Sequence, residues 1–348
     1  GWDGAFGAQW AQREFRAIGD EAFVPGSDSR DAGVFWIGRR DFGALTAELG
    51  ARHDRHRIDV DEAAIGPGRR FDTMSLSAAV RWDLGEDLHL SFGLDRAQRA
   101  PTAEELYSNG FHVATGAIEL GAPELDVETA NRAELGLHWH AGPLTLTASA
   151  YHVRFDDFIY LAGTDIDADE PVRLWTQAAA RFNGAEAALD WAFHEGASGA
   201  WSLRVFGDVV RARLAGSGTR ALSVALPHDG DVEIVDTQIA LGGNLPRIAP
   251  ARVGGEVRWE QGPWRASLGA VRYARQDRVA EYETATPGYT LVDAHLAWHR
   301  DTAAGNAFEV FLDGRNLLDE EARVHTSMLK DYAPLPGRGV AFGVRVFF

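Results

Sequence analysis

One spacing runs through nearly the whole chain, and it is two. In LTLTASAY, Leu144, Leu146, Ala148 and Ala150 fall on one face, while Thr145, Thr147, Ser149 and Tyr151 fall on the other. Met74, Leu76, Ala78, Val80 and Trp82 likewise oppose Ser75, Ser77, Arg81 and Asp83, and Leu135, Leu137 and Trp139 oppose Glu134, Gly136, His138 and His140. Successive side chains point to opposite faces of an extended strand, so this pattern predicts half-buried strands and argues against helices. About fourteen segments carry it, centred near Gly7, Trp36, Ala47, Ala78, Phe92, Leu135, Ala148, Ala185, Val205, Gly255, Gly269, Ala294, Phe311 and Val344. The fold class is all-β.

A period of two suits a sandwich as well as a barrel, so the connections decide. Short turns are expected near Arg40, at Leu84 to Asp87, Ala141 to Pro143, His194 to Gly199, Gln261 to Pro263 and Asp301 to Gly305. Between them lie long connections: Ala17 to Asp31, Ile58 to Arg70, Ala100 to Val127, Gly163 to Pro171, Leu214 to Ile248, Ala280 to Pro287 and Asn316 to Arg338. Tight turns at one end and long loops at the other are the signature of a transmembrane antiparallel β-barrel of the bacterial outer membrane. Trp82, Trp139, Trp191, Trp201, Trp259, Trp264 and Trp298 all sit within a few residues of a short turn. An amphipathic indole favours the membrane interface, so these mark an aromatic girdle at the periplasmic rim. The final run GVAFGVRVFF then reads as a closing strand, with Phe348 facing outward as its last residue.

Composition narrows the chemistry. The chain has no cysteine, which removes disulfides and thiolate metal sites and leaves His and carboxylates as the metal ligands available. A formal charge of −17 over 348 residues argues against nucleic acid as a partner. No stretch of 18 apolar residues suggests a transmembrane helix, and no signal peptide is expected within these residues. Starting on an alternating strand, the chain is expected to be a fragment that lacks its N-terminal part.

Two motifs carry a family resemblance. DGRNLLD, at Asp313 to Asp319, followed by Pro336, Gly337 and Arg338 before the terminal strand, resembles the C-terminal end of TonB-dependent outer-membrane receptors. RAPTAEELY, at Arg99 to Tyr107, is similar to a motif of the same family at the top of a mid-barrel strand. The resemblance implies a barrel of about 22 strands closed by a plug, with energy supplied through the TonB complex. Residues 1–348 would be the C-terminal part of that barrel, with the plug absent. Outer-membrane lipid and lipopolysaccharide would surround it, and no resident cofactor is expected. Within the family, ELYSNGFHVATGAIELG, LPRIAPARVGGEVRWEQGPW and ETATPGYTLVDAHLAW look most like the zinc-uptake branch.

The loops can be read without the resemblance. Glu104, Glu105, Glu119, Glu124, Asp126 and His112 lie between Thr102 and Val127, a stretch without lysine or arginine. Asp165, Asp167, Asp169 and Glu170 form a second acidic run, and His228, Asp229, Asp231, Glu233 and Asp236 a third. Together they make a negative outer mouth that concentrates cations and repels anionic complexes. Imidazole with carboxylate suits zinc, and also accepts nickel, copper or manganese. His53 and His56 sit among Arg52, Arg55 and Arg57, which disfavour a cation, and His89, His138, His140, His295 and His299 belong to the periplasmic half of the lumen wall. The metal-ligand candidates are therefore His112 and Glu119, with His228, Asp229 and Asp231 as a second capture point; His112 also matches the zinc-branch motif.

The expected function is uptake of a metal ion, zinc first. A haem or ferric-siderophore receptor is the alternative within the family, with Tyr107, Phe111 and His112 recast as a haem pocket. A passive porin is the alternative from another class. No GxSxG element or nucleophile–base spacing supports an enzyme.

Overall fold

The alternation becomes seventeen strands and, among the described residues, one five-residue helix. The computed structural model describes residues 1–19, 22–61, 66–228, 231–302 and 305–348. In chain order they are β1 (Asp3–Phe15), β2 (Ser27–Phe42), β3 (Leu45–Val60), β4 (Arg69–Asp83), β5 (Leu88–Arg99), α1 (Ala103–Tyr107), β6 (Asn109–His112), β7 (Ala117–Leu120) and β8 (Glu128–Ala141). There follow β9 (Leu144–Gly163), β10 (Val172–Gly196), β11 (Gly199–His228), β12 (Asp231–Asn244), β13 (Arg252–Gln261), β14 (Trp264–Tyr273), β15 (Tyr289–Asp301), β16 (Ala307–Arg315) and β17 (Gly339–Phe347).

Fourteen of these form the wall, and they coincide with the fourteen segments picked out by the period of two. Each antiparallel pair links sequence neighbours, except where β5 pairs with β8 across the β6–β7 insertion and β11 pairs with β13 below β12. The wall is open: among the described residues β1 pairs with β2 alone and β17 with β16 alone. β9, β10 and β11 run 20, 25 and 30 residues. A tilted strand crosses a bilayer in about 9–11 residues, so these three extend well beyond it at the long-loop end.

The two faces differ as the pattern requires. Along β17, Val340, Phe342, Val344 and Val346 are all more than half exposed, while Arg345 turns to the other face and donates to Glu309 at 2.7 Å. Leu135 is 62% exposed and lies between Phe92 and Ala150 in a lateral apolar row. On the opposite face Thr145 bonds His140 at 3.0 Å, His89 pairs with Asp83 at 2.6 Å, and the His89 and His138 rings stack at 5.8 Å. At the short-turn end, Trp201 and Trp259 sit 6.0 Å apart and both indoles donate to the Ser198 carbonyl; Trp264 and Trp298 form a neighbouring pair at 6.4 Å. This is the aromatic girdle.

Three local expectations change. The first turn lies at Gly43 and Ala44, a few residues beyond Arg40, where Gly43 takes the left-handed φ of 73° that a tight turn needs. Residues 214–248 are not a loop: the outer part of β11, from Arg213, pairs with β12 to make a hairpin that stands above the wall. β17 ends at Phe347, one residue short of the strand end expected at Phe348, which is fully exposed.

A wall with lipid on one side has no interior of its own, and the buried core sits at the loop end. One cluster joins Ile58, Phe71, Leu106, Tyr107, Ala122, Leu125 and Ile159; another joins Tyr160, Val172, Leu174, Leu214, Ile239 and Leu245. The family-like DGRNLLD element anchors the last loop: Asn316, held at a φ of 46°, donates to the Glu320 and Pro336 carbonyls at 2.9 and 3.2 Å and accepts from the Glu320 amide at 2.9 Å.

If the exposed row faces lipid, Leu135→Arg should destabilise the barrel by about 2–4 kcal/mol and Leu144→Arg, beside a turn, by about 0–1 kcal/mol. Reversible unfolding from vesicles measures both, with Glu134→Arg on the polar face as control. Equal penalties at Leu135 and Glu134 would show the facing to be wrong.

Candidate metal centre

The stretch between β5 and β8 builds a small platform. α1 begins with a capping box in which the Glu105 amide donates to Thr102 Oγ1 at 3.3 Å and the Thr102 amide to Glu105 Oε2 at 2.7 Å. Arg99 clamps the same carboxylate at 2.8 Å and reaches Glu128 at 3.3 Å. Leu106 and Tyr107 point into the core, and the Tyr107 hydroxyl donates to the Pro67 carbonyl at 2.6 Å. With its neighbours turned inward, Glu104 is left facing outward.

β6 and β7 form a hairpin over this helix, with His112 opposite Ala117 and Gly110 opposite Glu119. Its turn closes through the Gly116 amide on the His112 carbonyl at 2.9 Å, with Gly116 at a φ of 58°. β7 leaves through Gly121, where a Cβ would lie 2.6 Å from Leu106 C and Tyr107 N, so only glycine lets the hairpin pass this close to α1. The Gly121 amide bonds the Ser108 carbonyl at 2.6 Å and the Ala122 amide bonds the Glu105 carbonyl at 2.9 Å, locking the two elements together. β7 also pairs in parallel with β10, setting Glu119 beside Arg173.

The result brings Glu104, His112 and Glu119 to one point, with one ligand atom from each within 4.8 Å of the others. Glu119 is 1% exposed and accepts from Thr115 Oγ1 at 2.7 Å, while His112 Nδ1 lies 3.1 Å from the same oxygen. Phe23 stacks on the imidazole at 4.0 Å and fixes its plane. Ligands about 2.0–2.2 Å from a tetrahedral ion lie about 3.4 Å apart, so a modest closure by the exposed Glu104 completes the geometry. Burial, and after it the Glu119 charge, raises the Glu104 carboxyl above its ordinary range, with the His112 charge acting against them. Two facing carboxylates want a cation between them. The donor set of one nitrogen and two carboxylates, without thiolate, suits zinc, nickel, manganese or copper(II), and leaves a fourth position open.

Among the described residues this is the one cluster of three His or carboxylate ligands. It joins two residues anticipated from sequence, His112 and Glu119, and adds Glu104, whose signal was the capping box: once Glu105 is committed to Thr102, Glu104 must face elsewhere. Phe23, from a loop outside every alternating segment, carries no sequence signal. His228 and Asp231 are register partners at the tip of the β11–β12 hairpin, and Asp229 lies outside the described residues. His325 is buried between Thr286 and Glu283, at 3.0 and 3.2 Å, and ties two loops together. Glu104 and His112 open onto a cavity of 680 Å³, whose far wall carries Asp31 and His56, paired at 2.7 Å.

Residues 1–317 match the family described as TonB dependent receptor-like, beta-barrel. Among solved structures, the copper transporter OprC superposes with a TM-score of 0.74 at 18% identity, over 92% of this chain and 48% of that one. The FrpB iron transporter from Neisseria meningitidis (F3-3 variant) gives 0.66 at 16%, over 97% and 51%. A double mutant of the Serratia marcescens hemophore receptor HasR, in complex with its hemophore HasA and heme, gives 0.66 at 16%, over 99% and 56%. At such identities the likeness is one of fold, and the chain spans about half the length of these relatives. The chain therefore belongs to the TonB-dependent receptor β-barrel family, whose barrels lie in the outer membrane of Gram-negative bacteria and act as receptors rather than enzymes.

Proposed function

We propose that the protein containing this chain takes up a divalent metal, zinc foremost, across the outer membrane, and that Glu104, His112 and Glu119 receive the ion at the extracellular end. The observation that carries this reading is the convergence of the three ligands on a platform held by Gly121 and the capping box. The acidic loops support it by drawing cations toward the mouth. Energy would come through TonB, and residues 1–348 would supply the C-terminal part of a longer barrel. The free edges of β1 and β17 and the half-length match to the solved relatives favour that division. Haem fits less well, because Tyr107 is 1% exposed with its hydroxyl on Pro67, and His112 is engaged with Glu119.

Isothermal titration of the full-length receptor with zinc tests the site. His112→Ala should weaken binding at least tenfold, about 1.4 kcal/mol, and Glu119→Gln should do the same. Zinc binding as tight in both variants as in wild type removes these ligands from the reading.

The affinity should also fall with pH. Metal competes with protons for imidazole and carboxylate, and Glu104, raised above its ordinary range, takes up its proton earlier on acidification than an isolated glutamate would. A zinc affinity that stays level from pH 7.5 to about pH 5.5, a span that crosses the reference imidazole pKa of about 6.5, would count against a histidine ligand.

Residues 1–348 refolded alone should aggregate or close non-natively, because unpaired strand edges are tolerated neither in lipid nor for long in water. A monodisperse barrel from this chain by itself would contradict the division proposed here.

A further inference from the structure

The outward face of the wall carries two rows of three arginines, each running straight across neighbouring strands. Arg30, Arg57 and Arg70 are register partners on β2, β3 and β4, and Arg154, Arg181 and Arg213 are register partners on β9, β10 and β11. Like charges directly opposite on adjacent strands destabilise a sheet, so each row calls for an anion. The first row has one of its own. Arg57 donates to Asp59, two residues along the same face, at 2.6 and 3.0 Å, and Arg55 just below donates to Asp72 at 3.0 Å. In the second row Arg181 and Arg213 make no salt bridge among the described residues, and neither does Arg211 beneath them. Arg154 has Asp156 at 3.6 Å, with its side chain 66% exposed.

The second row stands at the edge of the lipid-facing band. The apolar runs that begin at Leu144 on β9, Trp191 on β10 and Leu203 on β11 all stop in one register row, at Ala150, Ala185 and Val209. His152, Asn183 and Arg211 come next, and the arginine row follows. Each arginine lies ten positions from the start of its run. A tilted strand crosses a bilayer in about 9–11 residues, so the row sits at the interface on the long-loop side, the outer leaflet.

The backbone under the guanidiniums is fixed, because Ala180, Ala212 and Leu214, which alternate with the arginines, are buried in the core on the other face. Below the row the outward face is shallow, being made of alanines and Gly207. Leu135, in register with Ala150, and Val253, in register with Gly207, stand up on either side of it, both more than half exposed. An apolar trough that leads down from a row of cations matches an amphiphile: a charged group above, acyl chains below.

We propose that Arg154, Arg181 and Arg213 bind a phosphate of an anionic glycolipid of the outer leaflet, whose acyl chains lie in the trough. Guanidinium forks match phosphate oxygens by paired N–H donation, and one phosphate among the three offsets the repulsion within the row. A soluble anion would approach along the acidic loops, which repel it, and would leave the trough bare. The lipid arrives sideways, through the membrane. The site depends on the facing of the wall and not on the metal centre.

Native mass spectrometry of the full-length receptor in detergent tests this, with diphosphorylated lipid A, lipid A stripped of its phosphates and inorganic phosphate as separate probes. Wild type should bind the phosphorylated lipid about tenfold or more tightly than Arg181→Gln or the double variant Arg154→Gln/Arg213→Gln. The stripped lipid should bind all of them alike. Asn183→Asp sets a carboxylate two residues from Arg181 and in register with Arg211, as Asp59 stands by Arg57. It should lose the lipid to the same degree without removing an arginine, and it serves where the glutamine variants do not fold. Arg70→Gln, in the row that has its own carboxylate, should bind as wild type does. Equal affinity for the phosphorylated lipid in wild type, Arg181→Gln and Asn183→Asp would overturn the site. An equal loss in Arg70→Gln would overturn it too, by reducing the effect to overall charge, and arginine-dependent binding of inorganic phosphate as tight as that of the lipid would overturn the lipid assignment.

Discussion

The lateral hydrogen-bonded ladder is the constraint on which the remaining structure depends. In hydrocarbon a backbone amide has no water to turn to, so each wall strand must satisfy its polar groups on its neighbours. That consumes the backbone and leaves the side chains to sort by face: Val340 to Val346 outward, and Arg345 and Glu309 toward one another on the other face. A single layer cannot bury an apolar core between two sheets. The chain builds its dry interior where β9, β10 and β11 outrun the membrane and the loops fold back on them. Rigidity suited to a binding site is therefore available at the loop end and hardly anywhere else.

The candidate metal cluster uses that rigidity. Leu106 and Tyr107 sink α1 into the core with Ile58, Phe71 and Leu125, and the Arg99–Glu105–Glu128 set pins the start of the helix. The close pass at Gly121 then ties β7 to the helix. Glu104 and Glu119 come from different elements, fifteen positions apart in sequence, yet neither element can shift without the other. A histidine between them, held flat by Phe23, completes a shell from parts that no local propensity would group.

The legibility of this structure in the sequence follows from what sets each part. Wall strands are half-exposed to lipid wherever they cross the membrane, so they alternate there and all fourteen could be read from it. The outer half of β11 with β12 stands above the membrane, where no lipid imposes an apolar face; its glycines and carboxylates read as loop, and the backbone pairing that makes it a hairpin left little trace. His112 and Glu119 were legible as an imidazole and a carboxylate in a stretch without bases. Glu104 was only one carboxylate among five until the capping box assigned Glu105. The contact of Phe23 with His112 depends on how a distant loop folds back, which neither period nor composition encodes.

The same limit explains Arg173 and Arg247. Summed over the long loops, charge is negative, and a sum describes the far field, which steers ions toward the mouth. It says nothing of the near field. Inside the loops several carboxylates have partners of their own: Asp165 with Thr237 at 2.6 Å, Glu283 with Lys330 and His325, Asp331 with Thr284. Arg173 and Arg247 meet at the Met328 sulfur from strand and loop positions far apart in sequence. Because Arg173 is the register partner of Glu119, its placement follows from the parallel pairing of β7 with β10, the one parallel contact among the described residues. That contact sets the Glu119 carboxylate and the Arg173 guanidinium next to each other on adjacent strands, so a negative approach path ends at a place with both signs of charge.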